Sequence, residues 1–142
     1  MARKRNRNLA LAVALTMACL VAACHAPAGT PRSAVEKFLD AHYVSIDLQA
    51  SQRLVTGLAL QKVNKEIALV EGLEPEAQAL KPRIGYRLKQ TREGEQEVTY
   101  LYELTVAPSG VEPFGKEVIV TARFADDDWT VSNYSEADKQ VD

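Results

Sequence analysis

Cysteine and histidine are both scarce in this sequence. The chain contains two cysteines, Cys19 and Cys24, and two histidines, His25 and His42. Beyond residue 24 there is therefore no thiol, so the rest of the chain folds without disulfide bonds even in an oxidising compartment. The sequence also has no Cys/His set with metal-ligand spacing, no Gly-rich phosphate loop and no nucleophile motif. We expect neither a metal nor another cofactor.

Positive charge is in deficit over the chain as a whole, and most of all once the amino terminus is set aside. The whole chain has 17 Lys and Arg against 19 Asp and Glu, a formal net charge of −2. The first 23 residues hold four of the basic residues and none of the acidic ones, so the remainder carries 13 basic and 19 acidic residues, or −6. A net-acidic domain lacks the basic surface that nucleic acid requires, and we expect no nucleic-acid partner.

Long apolar runs are rare too, and the one that exists lies near the amino terminus. Residues 9–20 are apolar apart from Thr16, and they follow a basic stretch at residues 3–7. A run of about a dozen apolar residues is too short to span a bilayer stably. A basic segment, a short apolar segment and then small residues predict a secretory signal peptide over residues 1–23.

The next residues suggest how the mature chain is held. Val21-Ala22-Ala23-Cys24 resembles a bacterial lipobox. The resemblance implies cleavage before Cys24 and acylation of that cysteine, so that Cys19 leaves with the leader. Two or more acyl chains anchor a protein stably in a membrane. The alternative is ordinary cleavage after Ala28, because Ala26-Pro27-Ala28 has the small-x-small form of a cleavage site.

The residue after the acylated cysteine bears on localisation. In Gram-negative lipoproteins an Asp at this position favours retention in the inner membrane, and here the residue is His25. We therefore expect a lipid-anchored, extracytoplasmic protein of the cell envelope, on the periplasmic face of the outer membrane if the source is Gram-negative. Residues 24–32 contain two prolines and a glycine without periodic apolar residues, which indicates a tether.

Helical periodicity begins after the tether. Ser33 opens a capping box, which predicts that the first helix starts there. Asp47 is the expected N-cap of a second helix that ends near Gly57, and Gly72 closes a third. A short helical turn is expected at residues 77–80. Apolar residues at helical spacing are Val35, Phe38, Leu39, Tyr43 and Ile46 in the first helix and Leu60, Val63, Ile67 and Val70 in the third.

From Arg83 onward the apolar period is two, which predicts strands. A three-residue loop at residues 92–94 places Tyr86 opposite Tyr100 and gives the hairpin one apolar and one charged face. Two further strands, residues 116–124 and 129–134, surround a four-residue turn. The expected inward positions are Ile84, Tyr86, Leu88, Val98, Tyr100, Tyr102, Leu104, Val106, Val118, Val120, Ala122, Phe124 and Trp129.

Helices followed by an antiparallel meander predict one α+β domain over residues 33–136, with N-terminal helices on a curved four-stranded antiparallel sheet and a polar tail at 137–142. Residues 35–39 (VEKFL) and 127–134 (DDWTVSNY) are similar to segments of small bacterial lipoproteins with an NTF2-like, cystatin-like α+β domain. The resemblance implies a pocket between helices and sheet. Fuller members of the group carry more strands, which argues against a deep conical pocket.

The resemblance also directs attention to His42 and three tyrosines, because NTF2-like enzymes place His, Asp or Tyr in the pocket for acid–base work. His42 borders the apolar stripe, as a pocket base or as a packed helix residue. Tyr86, Tyr100 and Tyr102 share a strand face, as a ligand-lining cluster or as a core with hydroxyls at its rim. We expect a binding or interaction module without catalysis, whose partner is an envelope protein or a small apolar ligand. The alternative is a small hydrolase or isomerase that uses His42.

The lipid anchor is directly testable. Cys24→Ala should release the protein from membranes or leave its leader uncleaved, because the thiol that would carry the lipid is gone. Membrane fractionation and incorporation of labelled fatty acid measure the effect, with Cys19→Ala in the leader as the matched control. Unchanged fractionation of Cys24→Ala, together with no label in the wild type, would contradict the anchor.

Overall fold

The structure is a computed structural model that describes residues 29–73 and 81–139. The leader, Cys24, His25, the expected helical turn at residues 77–80 and residues 140–142 lie outside the described residues. The described chain has helices packed on one face of an open, four-stranded antiparallel sheet, as predicted. Within those two ranges, no helix has the length and apolar character needed to cross a membrane.

The helices come first along the chain and the sheet follows. Helix α1 spans Pro31–Leu39, a π-helical turn spans Asp40–Val44, α2 spans Leu48–Gln52 and α3 spans Gly57–Val70. The strands, in sheet order, are β1 (Arg83–Glu93), β2 (Glu97–Ala107), β3 (Phe114–Ala125) and β4 (Asp128–Asp138). Strand β4 extends two residues into the expected polar tail.

Helix α1 begins at Pro31 and not at Ser33. Thr30 is the N-cap, and its hydroxyl accepts a hydrogen bond from the backbone amide of Ser33 at 3.1 Å. Proline suits the first helical position because its missing amide would have no partner there. The predicted capping box is therefore wrong, and Glu36 instead pairs with Arg32 at 2.7 Å.

The second predicted cap is confirmed, but the predicted end of that helix is wrong. Asp47 is the N-cap of α2 and accepts from the amide of Ala50 at 2.9 Å. Helix α2 is shorter than expected, and Gly57 is the first residue of α3 and not the last residue of α2. Gly57 has a φ of 56°, a left-handed conformation that suits a chain reversal between two helices.

The connection between α2 and α3 adds to the edge of the sheet. The amide of Thr56 donates to the carbonyl of Val131 at 2.8 Å, and the amide of Val131 donates to the carbonyl of Leu54 at 3.2 Å. Val55 thereby forms a parallel bridge with β4. This short pairing holds the start of α3 against β4 and satisfies backbone groups of an edge strand.

The first hairpin keeps its predicted faces but not its predicted partners. The loop is residues 94–96, and Tyr86 lies opposite Leu104 and not opposite Tyr100. A bulge at Lys89 shifts the register between the two halves of β1. The partner of Tyr86 on β2 is thus four residues beyond the predicted one. Because side-chain direction repeats every two residues, this difference leaves the predicted inward side chains on the same face.

The second hairpin is tighter than expected. Its turn is Asp126 and Asp127, with φ values of 53° and 62° in place of the predicted four-residue turn. Two left-handed residues are what a two-residue hairpin turn requires, and Asp tolerates this conformation. Phe124 lies opposite Trp129, as predicted. They form the second pair before the turn, with ring centroids 5.4 Å apart.

The core lies between α1, the start of α3 and the inner face of the sheet. Phe124 was expected to be buried but is 46% exposed, and Trp129 is only partly buried, because this pair lies at the turn end of the sheet. Ile46 and Val70 are also exposed, at the opposite end. The buried apolar residues include Val35, Phe38, Leu39, Ala59, Val63, Val98, Tyr100, Tyr102, Leu104, Val118, Val120, Ala122, Val131 and Tyr134.

Substitution of two phenylalanines tests this distribution of buried and exposed apolar residues. Phe38 is fully buried, so Phe38→Ala should lower the free energy of unfolding by about 3–5 kcal/mol. Phe124 contacts Trp129 at the surface, so Phe124→Ala should cost about 1 kcal/mol or less. Denaturant unfolding of both variants measures the difference, and equal costs would show that the inner face is not covered as described.

Candidate functional site

An open hollow of about 330 Å³ lies where the end of α3, the π-helical turn and the start of β1 meet. This volume falls at the lower end of the range for small-ligand sites, about 300–1,000 Å³. Five branched aliphatic side chains dominate its surface. The lining residues are His42, Tyr43, Ile46, Leu48, Glu66, Leu69, Val70 and Ile84.

The backbone on one side of the hollow is irregular. In the π-helical turn the amide of Ser45 donates to the carbonyl of Asp40, five residues earlier, at 2.8 Å. Ile46 follows in the left-handed conformation with a φ of 53°. Such a conformation is rare for a β-branched residue, and π-turns and strained residues both concentrate at functional sites. The irregular backbone therefore makes this side of the hollow a candidate for function.

His42 forms the inner wall of the hollow and is almost fully buried, with 7% exposed. Its ring stacks on Phe38, with centroids 4.9 Å apart and planes at 21°, and it contacts Tyr43 and Tyr134 at steeper angles. Nδ1 lies 3.4 Å from the Ser51 hydroxyl. Nε2 lies 3.2 Å from a carboxylate oxygen of Glu66 on α3. Both ring nitrogens are thus engaged by the protein.

Two carboxylates and two tyrosines surround this histidine. The hydroxyl of Tyr134 donates to Glu66, and the hydroxyl of Tyr43 donates to Glu136 at 2.8 Å. Burial, followed by the carboxylates, raises the pKa of both tyrosines far above the ordinary value, so both remain proton donors. Burial lowers the pKa of His42, whereas Glu66 and then Glu136 raise it, and burial is the larger effect.

The structure separates the four residues singled out in the sequence. His42 lines the hollow, but Tyr86, Tyr100 and Tyr102 do not. Tyr86 donates to Asp40 at 2.8 Å, and burial, followed by this hydrogen bond, raises the pKa of Tyr86 to about 12. Tyr102 donates to Glu36 at 3.2 Å, and Tyr100 is buried in the core. Tyr102 therefore joins the first hairpin to α1, and Tyr86 joins it to the π-helical turn.

Sequence reasoning missed Glu66, Ser51 and Glu136. Each reaches the histidine cluster from a different element, and no helical spacing relates any of them to His42. One signal was present for Glu66, which follows Val63 by three residues and precedes Val70 by four. That spacing places its carboxylate on the inward face of α3.

The arrangement suits apolar contact better than acid–base chemistry. Neither nitrogen of His42 is left for a ligand, and Ser51 is fully buried and cannot be reached. Among residues 29–73 and 81–139, no group of three or more His, Cys, Asp or Glu side chains is placed to hold a metal ion.

A second group of charged residues lies on the outer face of the sheet. Glu103 accepts from Arg87 at 3.2 Å, Lys89 at 3.3 Å and Lys139 at 3.3 Å. Hydrogen bonds from Lys139, Lys89 and Arg87, in that order, lower the pKa of Glu103 to about 2. The basic partners are 41–71% exposed, so water screens these ion pairs, which add little to stability and leave this face polar.

Two solved structures share the architecture described above. A domain from Thiobacillus denitrificans, named for the association domain of calcium/calmodulin-dependent protein kinase type II, aligns with a TM-score of 0.62 and 11% identity, covering 80% of this chain and 98% of its own. The VirB8 protein of Agrobacterium tumefaciens aligns with a TM-score of 0.56 and 10% identity, covering 78% of this chain and 92% of its own.

The fold is NTF2-like. At such low identity the likeness of this NTF2-like domain to the two structures concerns the fold alone. No protein-family model matches the sequence, and no curated protein sequence matches it at a significant level.

The strained residue of this NTF2-like domain can be tested with a matched pair. Left-handed strain costs a residue with a side chain about 1–2 kcal/mol, so Ile46→Gly should leave the free energy of unfolding unchanged or raise it. Val44 is 39% exposed, close to the 37% of Ile46, but it is helical. Val44→Gly should therefore lower the free energy of unfolding by about 1 kcal/mol. Equal losses in denaturant unfolding would contradict the strain at Ile46.

Proposed function

We propose that this NTF2-like domain is a binding module of the cell envelope, held at a membrane by lipid on Cys24 and without catalytic activity of its own. The observation that supports it is the hollow, which is open and aliphatic. Its three polar lining residues, His42, Tyr43 and Glu66, are bound to other side chains of the domain. The hollow therefore offers contact area and shape with few free polar groups.

The exposed aliphatic side chains give such binding a driving force. Leu69 is 77% exposed and Val70 is 47% exposed, side by side at the end of α3. Fully burying a leucine or valine side chain contributes about 1.5–3 kcal/mol relative to leaving it exposed. Contiguous apolar surface of this kind marks interaction sites on soluble domains. The partner we propose is an envelope protein or a small ligand that covers these residues with apolar groups.

The position of the hollow fits a domain held by its amino terminus. A Cβ added to Gly29 would lie 2.8 Å from Asp128, so the described chain starts at the end of the sheet that carries the β3–β4 turn. Helix α1 and the π-helical turn then run for 14 residues, about 20 Å, toward the hollow. An anchor at Cys24 would thus leave the hollow on the side away from the membrane.

Site-specific photocross-linking in cells tests the binding module. A photoreactive residue at Leu69 should form a discrete cross-linked product in the anchored protein, and Ile46→Asp in the same chain should abolish it. Leu58, an exposed leucine on the same helix but outside the hollow, is the matched control. Equal products at both positions, or none at Leu69, would contradict the proposal.

The alternative function is a small hydrolase or isomerase, and one observation favours it: His42 and Glu66 form an acid–base pair beside the hollow. If His42 were the general base, His42→Gln should lower the turnover of each folded molecule by about 10²–10⁴-fold, beyond any loss of folded protein. The binding module predicts instead that any loss of function in cells follows the loss of folded protein, because the ring supports its neighbours. Complementation measured together with thermal unfolding separates the two.

A further inference from the structure

A chain of three hydrogen-bonded contacts runs through the buried histidine and joins three helical segments. The Ser51 hydroxyl donates to the carbonyl of Leu48 at 2.9 Å within α2. His42 Nδ1, in the π-helical turn, lies 3.4 Å from the same hydroxyl oxygen. His42 Nε2 lies 3.2 Å from Glu66 on α3. Leu48, His42 and Glu66 all line the hollow.

The number of protons decides whether all three contacts can be hydrogen bonds. A serine hydroxyl has one proton, which the bond to Leu48 uses, so toward His42 this oxygen can only accept. Nδ1 must then carry a proton. A neutral imidazole has a single N–H, which would leave Nε2 facing the Glu66 carboxylate with a lone pair. Three contacts need three protons, and the neutral ring and the hydroxyl supply two.

We propose that His42, Ser51 and Glu66 form a proton-dependent latch, in which a doubly protonated His42 makes all three contacts and a neutral His42 releases the hydroxyl of Ser51 from Leu48. The latch would thereby couple the protonation of a buried ring to the wall of the hollow. It stands on the contacts within the fold and does not depend on the proposed binding function.

The contact that is lost can be identified from bond strength. A hydrogen bond to an ionised carboxylate is stronger than one between neutral groups. The neutral ring therefore keeps its proton on Nε2, toward Glu66, and Nδ1 becomes an acceptor. The Ser51 hydroxyl then turns to donate to Nδ1, and the carbonyl of Leu48 loses that donor.

The other charged and titratable groups around the ring are already paired. From α3, Lys62 donates to Asn133 and to the carbonyl of Tyr134. The remaining groups are Tyr134 and Glu136 on β4, Lys116 on β3 bound to Glu136, Tyr43 in the π-helical turn, and Asp40 in that turn bound by Tyr86 of β1. In the described chain His42 is the group with an ordinary pKa near 6.5, so acidification acts on the latch through this ring.

The direction of the response follows from burial. Burial lowers the pKa of His42 more than Glu66 and Glu136 raise it, so the ring takes up its second proton below pH 6.5. The unfolded chain, with an ordinary pKa, binds that proton more tightly. The free energy of unfolding therefore decreases as the pH falls below 6.5. The latch closes on acidification even though the whole fold becomes less resistant to unfolding.

Nitrogen NMR of the histidine ring tests the latch in the full chain, reconstituted in lipid nanodiscs. His25→Gln leaves His42 as the sole histidine, so both of its ring nitrogens can be read from pH 7.5 to 4.5. At pH 7.5 we expect the proton on Nε2, and in acid we expect protons on both nitrogens. The ¹³C shift of the Leu48 carbonyl should move with the same midpoint. A proton on Nδ1 at pH 7.5, or a Leu48 carbonyl that ignores this midpoint, would overturn the proposal.

Two substitutions in that background separate a latch from a merely buried histidine. In Glu66→Gln the side-chain amide can donate to Nε2 while its oxygen accepts from Tyr134, so the neutral ring should keep Nδ1–H and the Leu48 carbonyl should stop responding to pH. In Ser51→Ala the ring should still titrate, again without a response at Leu48. A Leu48 response that persists in either variant refutes the coupling. If a variant fails to fold, the tautomer of the His25→Gln protein at pH 7.5 decides.

Discussion

The placement of the site depends on how one aromatic ring of α1 packs. Phe38 is fully buried and stacks on His42, and its ring centroid lies 5.1 Å from that of Tyr134 on β4. It thereby fixes the distance between α1 and the sheet and the plane of the histidine ring together. Because interiors are close-packed, a shift of this ring would move the histidine relative to α3. The hydrogen bonds of His42 therefore depend on the stacking of its ring against Phe38.

The polar groups buried around that ring are tolerated because they are bonded to one another. In the described part of the chain, no buried side-chain nitrogen or oxygen lacks a hydrogen-bond partner. An unpaired polar group would cost more at this site than in water, since the surroundings are apolar. A network of this kind restricts side-chain orientations, and here it supports the wall behind an aliphatic hollow.

The sequence predicted which face of the sheet a strand residue occupies better than it predicted the residue's partner on the neighbouring strand. Alternation placed Tyr86 and Leu104 on the inner face correctly, because parity survives any even shift of register. The predicted pairs were wrong because the loop lies two residues further along the chain, at residues 94–96 in place of 92–94, and the bulge at Lys89 has no signal in the pattern either. The sequence offers two possible starts for α1, a capping box of Ser33 and Glu36 or an N-cap at Thr30 followed by Pro31. The helix uses the second, because proline is favoured at the first helical position.

The candidate site was less predictable than the fold. His42 was identified because it borders an apolar stripe, but its partners come from α2, α3 and β4, and one sequence contains no rule that pairs residues across elements. Ile46 and Val70 continue the apolar stripes of their helices, so periodicity predicted burial for both. Val70 is the last residue of α3 and Ile46 lies in the loop after the π-helical turn, and both stay exposed at the surface of the hollow.

The single tryptophan of the chain is an intrinsic fluorescent probe that responds only to changes in its own surroundings. Trp129 lies beside the β3–β4 turn, at the end of the sheet where the described chain begins with Gly29. The hollow is at the far end of the sheet. Tryptophan fluorescence should therefore report changes at this end of the sheet and stay unchanged when a ligand occupies the hollow. A flat fluorescence titration would say nothing about binding there.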